Sequence, residues 1–166
     1  WPFYEVDDYE ADDIIGTLSK QANRAGIHTV IASSDLDMLQ LIDDDTEVYA
    51  LKKGLSSIDR FDVKAFQAKY DIRVDQFLDL KSLKGDSSDN IPGVPGVGEK
   101  TAVALLQKYH DLDGVYAHLD EITGAAQRKL ADGKASAYMS RELVQIQCDA
   151  PIPLDLQAAD VSKLDR

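Results

Sequence analysis

The sequence predicts an α/β segment followed by an all-α segment, and three features support this. Two short apolar runs with β-branched residues, residues 28–32 and 47–51, read as strands. A helix-period segment precedes the first run, and only short helical patterns follow after about residue 60. A glycine- and proline-rich turn at residues 92–98 breaks the helical part and opens onto another helix.

In chain order, residues 5–26 read as an acidic loop leading into a helix. Ile14, Ile15, Leu18, Ala22 and Ala25 recur at helical spacing, and Gly26 marks the stop. His28-Thr29-Val30-Ile31-Ala32 is expected as a buried strand, and Ser34 or Asp35 caps a short helix over residues 36–42. Asp43-Asp44-Asp45 reads as a solvated turn, and Glu47-Val48-Tyr49-Ala50-Leu51 as a second strand ending in a Lys52-Lys53-Gly54 turn. Residues 62–70 and 74–83 are two short amphipathic helices, with Phe66, Tyr70, Phe77, Leu78 and Leu83 expected in the core. A helix over residues 99–109 turns Ala102, Leu105, Leu106 and Tyr109 inward, and further helices are expected over 111–119, 121–131 and 136–148. The domain expectation is an α/β core over 1–60, a helical region over 61–150 and an extended tail over 151–166.

At 166 residues, 44% hydrophobic and 29% charged, the chain has the size and composition of one globular domain. No apolar run approaches the roughly 20 residues of a membrane span. The start lacks an initiator Met, a basic region and an apolar region, which is expected of a piece of a longer polypeptide and not of a signal peptide. Cys148 stands alone, so neither an internal disulfide nor a thiolate zinc site is available. His28, His110 and His118 have no ligand spacing. The net charge of −12 argues against a nucleic-acid partner until it is divided along the chain. Residues 1–50 hold 2 Lys/Arg against 12 Asp/Glu, residues 51–110 hold 10 against 8, and residues 111–166 hold 6 against 10. The glycine turn therefore sits in the one net-basic segment.

Three acidic groups call for a chemical reading. Glu10-Ala11-Asp12-Asp13 crowds three carboxylates into one helix start. Pairing with the helix dipole stabilises each by about 0.3–1 kcal/mol, but mutual repulsion offsets three in four positions. Asp35 and Asp37 follow the end of the first strand, where α/β sheets place their sites. Asp86 and Asp89, three apart in Gly85-Asp86-Ser87-Ser88-Asp89-Asn90, offer hard oxygen ligands for a divalent cation.

The stretch Gly93-Val94-Pro95-Gly96-Val97-Gly98-Glu99-Lys100-Thr101 beside them is not a nucleotide P-loop. That motif needs Lys directly after its last Gly and a strand before it, whereas Glu99 follows Gly98 and Pro92 and Pro95 exclude the strand. It fits a hairpin between two helices, whose backbone amides and Lys100 grip a DNA phosphate without reading bases. The pairing of Asp35-Leu36-Asp37 with Gly85-Asp86 is also similar to haloacid-dehalogenase-type phosphatases, with Asp35 as nucleophile. Helical periodicity before Gly85 and the glycine hairpin speak against that reading.

Tyr9-Glu10-Ala11-Asp12-Asp13, Ser34-Asp35-Leu36-Asp37 and the run from Gly85 to Ala102, taken together and in this order, resemble the 5′-nuclease domain of bacterial DNA polymerases I, in the flap endonuclease superfamily. The resemblance covers nearly the whole chain and thins after about residue 150.

It implies a PIN/5′-nuclease-like fold, with a central mostly parallel sheet and a helix-hairpin-helix element over about 85–109. It implies two Mg²⁺ (or Mn²⁺) ions held by Glu10, Asp12, Asp13, Asp35, Asp37, Asp86 and Asp89, all but Asp86 also being catalytic. Gly93, Gly96, Val97, Gly98, Lys100 and Thr101 are the implied DNA-binding residues, with a monovalent cation, K⁺, at the hairpin. The implied partner is DNA with a 5′ flap, a nick or a 5′ end, and a polymerase domain in the same polypeptide. The implied location is the bacterial cytoplasm at the nucleoid, with no membrane partner. Family members begin with a strand carrying further metal-binding Asp residues and a basic arch, neither of which lies within this sequence. A non-catalytic DNA-binding fragment is the alternative.

Overall fold

A computed structural model describes residues 2–52 and 57–163. The Lys52-Lys53-Gly54 turn lies largely outside the described residues. The chain divides into two compact units, Trp1–Asp62 with Ile146–Arg166, and Val63–Gln145. No helix among the described residues is long and apolar enough to cross a membrane.

The first unit is built on a three-stranded sheet in the order β1-β2-β3, with β1 Thr29–Ser33, β2 Thr46–Leu51 and β3 Ile58–Phe61. The β1–β2 pair is parallel and the β2–β3 pair antiparallel. β2 is the central strand, and Val48 is wholly buried on it. β1 was expected to be buried; among the described strands it is an edge, where only Ile31 is buried and Val30 is exposed. β3 had no sequence expectation, because Ile58-Asp59-Arg60-Phe61 is too short to display a period.

Helix α1, Ala11–Arg24, packs against this unit by an unexpected face. Gly16, Thr17 and Ser19 are buried together with Ile14 and Ala22, whereas Ala25 is exposed. Ile15 and Leu18, only half-buried, line an apolar groove with Val30, Ala32 and Leu154. The small residues are buried because residues 146–154 cross the helix there. The Thr17 hydroxyl accepts from the Ala150 amide at 3.0 Å, and Gln21 bonds Ile152 and Leu154, each at 2.7 Å. Glycine suits so close a crossing: a Cβ at Gly16 would lie 2.9 Å from both Cys148 Sγ and Ile146 Cγ2, which would have to shift. The helix expected over 136–148 ends at Val144; Gln145 is extended and residues 145–148 are not helical.

A 3-10 helix, Leu36–Leu41, follows β1, and Asp35 is its cap, accepting from the Asp37 amide at 2.8 Å. Asp43 is held by Lys20 at 2.9 Å and by the Asn23 amide at 2.8 Å. Burial works against its charge, but the Lys20 bond and charge, the Asp45 amide and the Thr46 hydroxyl together outweigh it, and its carboxyl sits below the usual range. This aspartate fastens a turn.

The second unit is built of α-helices around a loop over residues 85–98: α2 Val63–Tyr70, α3 Phe77–Lys84, α4 Glu99–Tyr109, α5 Leu112–Ala117, α6 Gly124–Asp132 and α7 Lys134–Val144. Its core includes Phe66, Phe77, Leu80, Leu83, Leu106, Leu112, Val115 and Leu130. Buried polar groups tie the helices together. Gln76 donates to the carbonyls of Leu106 and His110, and Asp79 accepts from the Leu112 amide at 3.0 Å.

Candidate functional site

Asp12 and Asp13 at the start of α1 and Asp35 just past β1 lie near enough for their charges to interact. Asp13 serves the backbone with both oxygens, accepting from the Glu10 amide at 3.2 Å and from the Gln147 amide at 2.7 Å. Asp12 accepts from the Asp13 amide at 3.0 Å through one oxygen. Its carboxyl is pushed above the usual range, first by burial, then by the charge of Asp13, with a smaller contribution from Asp35. Asp12, Asp13 and Asp35, from two separate sequence blocks, therefore share one electrostatic environment. The donors are all carboxylate oxygens, as Mg²⁺ and Mn²⁺ prefer, and their mutual repulsion is what a bound cation relieves. The residues present thus fit a divalent ion.

The acidic loop of the second unit starts at the end of α3. Gly85 adopts φ +74° and turns the chain into a closed loop in which Asp86 and Ile91 exchange two backbone hydrogen bonds of 2.9 and 2.8 Å. Asp86 Oδ2 pairs with Lys81 Nζ at 3.0 Å, and its Oδ1 accepts from the amide and hydroxyl of Ser88. Burial opposes its charge, but the Ser88 and Lys81 bonds outweigh it and bring the carboxyl down to about 2. Lys81, a buried lysine, had no place in the sequence expectations. Asp89 lies exposed in the same loop, with the Ser88 hydroxyl 3.5 Å away.

The hairpin follows directly. Val94 and Val97 are buried and anchor it, while Gly96, Gly98, Lys100 and Thr101 are exposed. Gly96 has φ +80°. Gly93, at φ +58°, packs so close to the preceding loop that a Cβ would lie 2.2 Å from the Gly85 nitrogen. Its amide donates to the Ser140 hydroxyl at 3.0 Å, and its carbonyl accepts from the Ser136 hydroxyl at 2.6 Å. Gly98 caps α4 without a side-chain hydrogen bond, and nothing stands within 4 Å of where its Cβ would be. Among the described residues, the amides of Glu99 and Lys100, the first of this eleven-residue helix, have no hydrogen-bond partner. Glu99 in that first turn is paired with Lys84 at 3.0 Å. Ser136, Ser140 and Lys129, all of which hold the turn, lie 33 to 47 residues beyond it, and no local motif announces them.

Two family models cover the chain end to end: "5′-3′ exonuclease, N-terminal resolvase-like domain" matches residues 1–71, and "5′-3′ exonuclease, C-terminal SAM fold" matches residues 72–166. The chain belongs to the 5′-3′ exonuclease family. Among relatives of this exonuclease-family chain, the DNA polymerase I of Bacillus subtilis is 42% identical over 164 residues, covering 98% of this chain and 19% of that protein. The DNA polymerase I of Bacillus caldotenax is 44% identical over 156 residues, covering 93% of this chain and 18% of that protein. The chain thus spans about a fifth of the length of these curated relatives. The 5′-exonuclease of T5, solved with bound zinc, has the same fold, with a TM-score of 0.76 at 21% identity over 89% of this chain and 54% of that one. A bacteriophage T5 flap endonuclease, solved with DNA and metal ions, matches with a TM-score of 0.76 at 20% identity over 89% of this chain and 53% of that one.

Proposed function

We propose that this exonuclease-family chain works within a structure-specific nuclease that hydrolyses phosphodiesters at 5′ flaps, nicks or 5′ ends of duplex DNA. The observation that carries the reading is the clamped hairpin: a rigid turn with free helix amides and an exposed Lys100, directly after an acidic loop. Helix amides and a lysine bind a phosphate through position and charge, which suits recognition of a duplex by shape. Relatives named DNA polymerase I support replication and repair as the setting, with a polymerase domain in the same polypeptide and a location at the bacterial nucleoid in the cytoplasm.

In this reading, Glu10, Asp12, Asp13, Asp35 and Asp37 of the first unit, and Asp86 and Asp89 of the second, serve two Mg²⁺ or Mn²⁺ ions. Two such ions, when bound, would supply hydroxide at neutral pH and stabilise the leaving oxygen. Asp12 and Asp35 are the direct donors of the first unit, and Asp13 orients the start of α1 through its two amide partners. Asp89 is the exposed donor of the second unit, and Asp86 holds its loop through Ser88 and Lys81. Lys100 and the amides of Gly98 and Glu99 hold the backbone of the duplex, and a K⁺ ion at the hairpin belongs to the same proposal. The helix α3 ahead of Gly85, where the phosphatase pattern needs a strand, speaks against that alternative.

The test is cleavage of an end-labelled 5′-flap DNA with and without Mg²⁺ or Mn²⁺, alongside a gel shift. Metal-dependent cutting supports the nuclease reading for this chain. Binding without cutting supports a DNA-gripping role, and the absence of both cutting and binding would overturn the proposal.

A further inference from the structure

Lys129 lies far from the glycine stretch in sequence but is fastened to it in the folded unit. Its ammonium donates to the Gly96 carbonyl at 2.8 Å. Its stem lies across the glycine: a Cβ at Gly96 would meet Cε and Nζ at 2.9 Å and Cδ at 3.3 Å. The side chain remains exposed, and an ammonium has three donors, so two are left for an anion. Lys20, Lys52, Lys81 and Lys84 are each paired with a carboxylate at 2.8–3.0 Å. Lys129 instead has a backbone carbonyl as its partner among the described residues, so its full positive charge stays at the turn. The carboxylate nearest in sequence to the turn, Glu99, is already engaged by Lys84.

We infer that Lys129 is a second cation of the phosphate grip, delivered by α6 onto the hairpin and directed at the DNA backbone alongside Lys100. The inference rests on the DNA-binding reading above and adds a residue to it. Two cations on one turn, one at the start of α4 and one laid over Gly96, bind neighbouring phosphates or share one. The contact with Gly96 also holds the turn in place, so bracing and charge must be separated experimentally.

The experiment is a salt titration of duplex DNA affinity for the wild-type chain, Lys100→Ala, Lys129→Met and Lys129→Arg. Methionine keeps most of the stem and removes the charge. Each lost phosphate contact lowers the slope of log affinity against log salt by about 0.9, which corresponds to roughly 5- to 10-fold in affinity near 0.1 M salt. Lys129→Met is expected to lose this, and Lys129→Arg to recover it. A wild-type slope for Lys129→Met would leave Lys129 as a brace only and overturn the inference. A wild-type chain without salt-dependent duplex binding would instead sink the underlying DNA-binding reading. Acetylation of the unmutated chain provides a second measurement in case Lys129→Met does not fold. Lys129 should lose reactivity when duplex is added, and undiminished reactivity would overturn the assignment.

Discussion

The Ser140 hydroxyl accepts the Gly93 amide proton at 3.0 Å, joining two residues 47 positions apart, and both residues are buried. Ser136, one helical turn earlier, donates to the carbonyl of the same glycine at 2.6 Å. Helix α7 thereby satisfies both backbone groups of the residue on which the hairpin pivots. Ser140→Ala should leave a buried amide without a partner and destabilise the second unit by about 1–3 kcal/mol. Urea denaturation of the variant against wild type checks this.

Gly93→Ala should be worse. Its φ of +58° is unfavourable for any side chain, and the added Cβ would meet the backbone of Gly85 at 2.2 Å. A loss of more than about 2 kcal/mol is expected, seen as a lower melting temperature of the second unit.

Acid should weaken the first unit through Glu47. Its carboxylate, buried on β2, is held below the usual range, first by the hydrogen bond from His28 and then, against the cost of burial, by Arg60. A lowered folded value means that the stabilisation is complete above the ordinary glutamate range and is lost as pH falls through the lowered value. The stability difference between wild type and Glu47→Gln should therefore shrink on acidification below the ordinary glutamate value, as followed by denaturant midpoints across pH.

Metal and DNA contacts should separate by mutation. Asp35→Asn with Asp37→Asn is expected to weaken Mg²⁺ binding, measured calorimetrically, with duplex affinity nearly unchanged. Lys100→Ala is expected to do the reverse, lowering duplex affinity and reducing its salt slope by about one. Unchanged metal affinity in the double variant would remove Asp35 and Asp37 from the proposal.

The hairpin was readable because its signals are local: glycines, prolines and an amphipathic helix fall within eighteen residues, from Gly85 to Ala102. The crowding of Asp12 and Asp13 was readable for the same reason, and the strand end at Asp35 followed from the apolar run before it. What could not be read depends on contacts distant in sequence. Gly16, Thr17 and Ser19 break the apolar stripe of α1, and only the crossing of residues 146–150 shows why they are buried. Val30 fits a buried-strand pattern by composition, whereas exposure is decided by which neighbours the strand has. Lys81, Lys129, Ser136 and Ser140 belong to no motif, since a lysine or serine becomes a support only through what the fold places opposite it.

During synthesis, the hairpin leaves the ribosome well before its supports do. The partners of Gly93 follow it by 43 and 47 residues, which at roughly 5–20 residues per second is several seconds of translation. Over that interval the nascent turn has its glycines but not its clamp. A peptide cut to the motif alone would stay in that unfinished condition, so the grip cannot be transplanted as a cassette without α6 and α7.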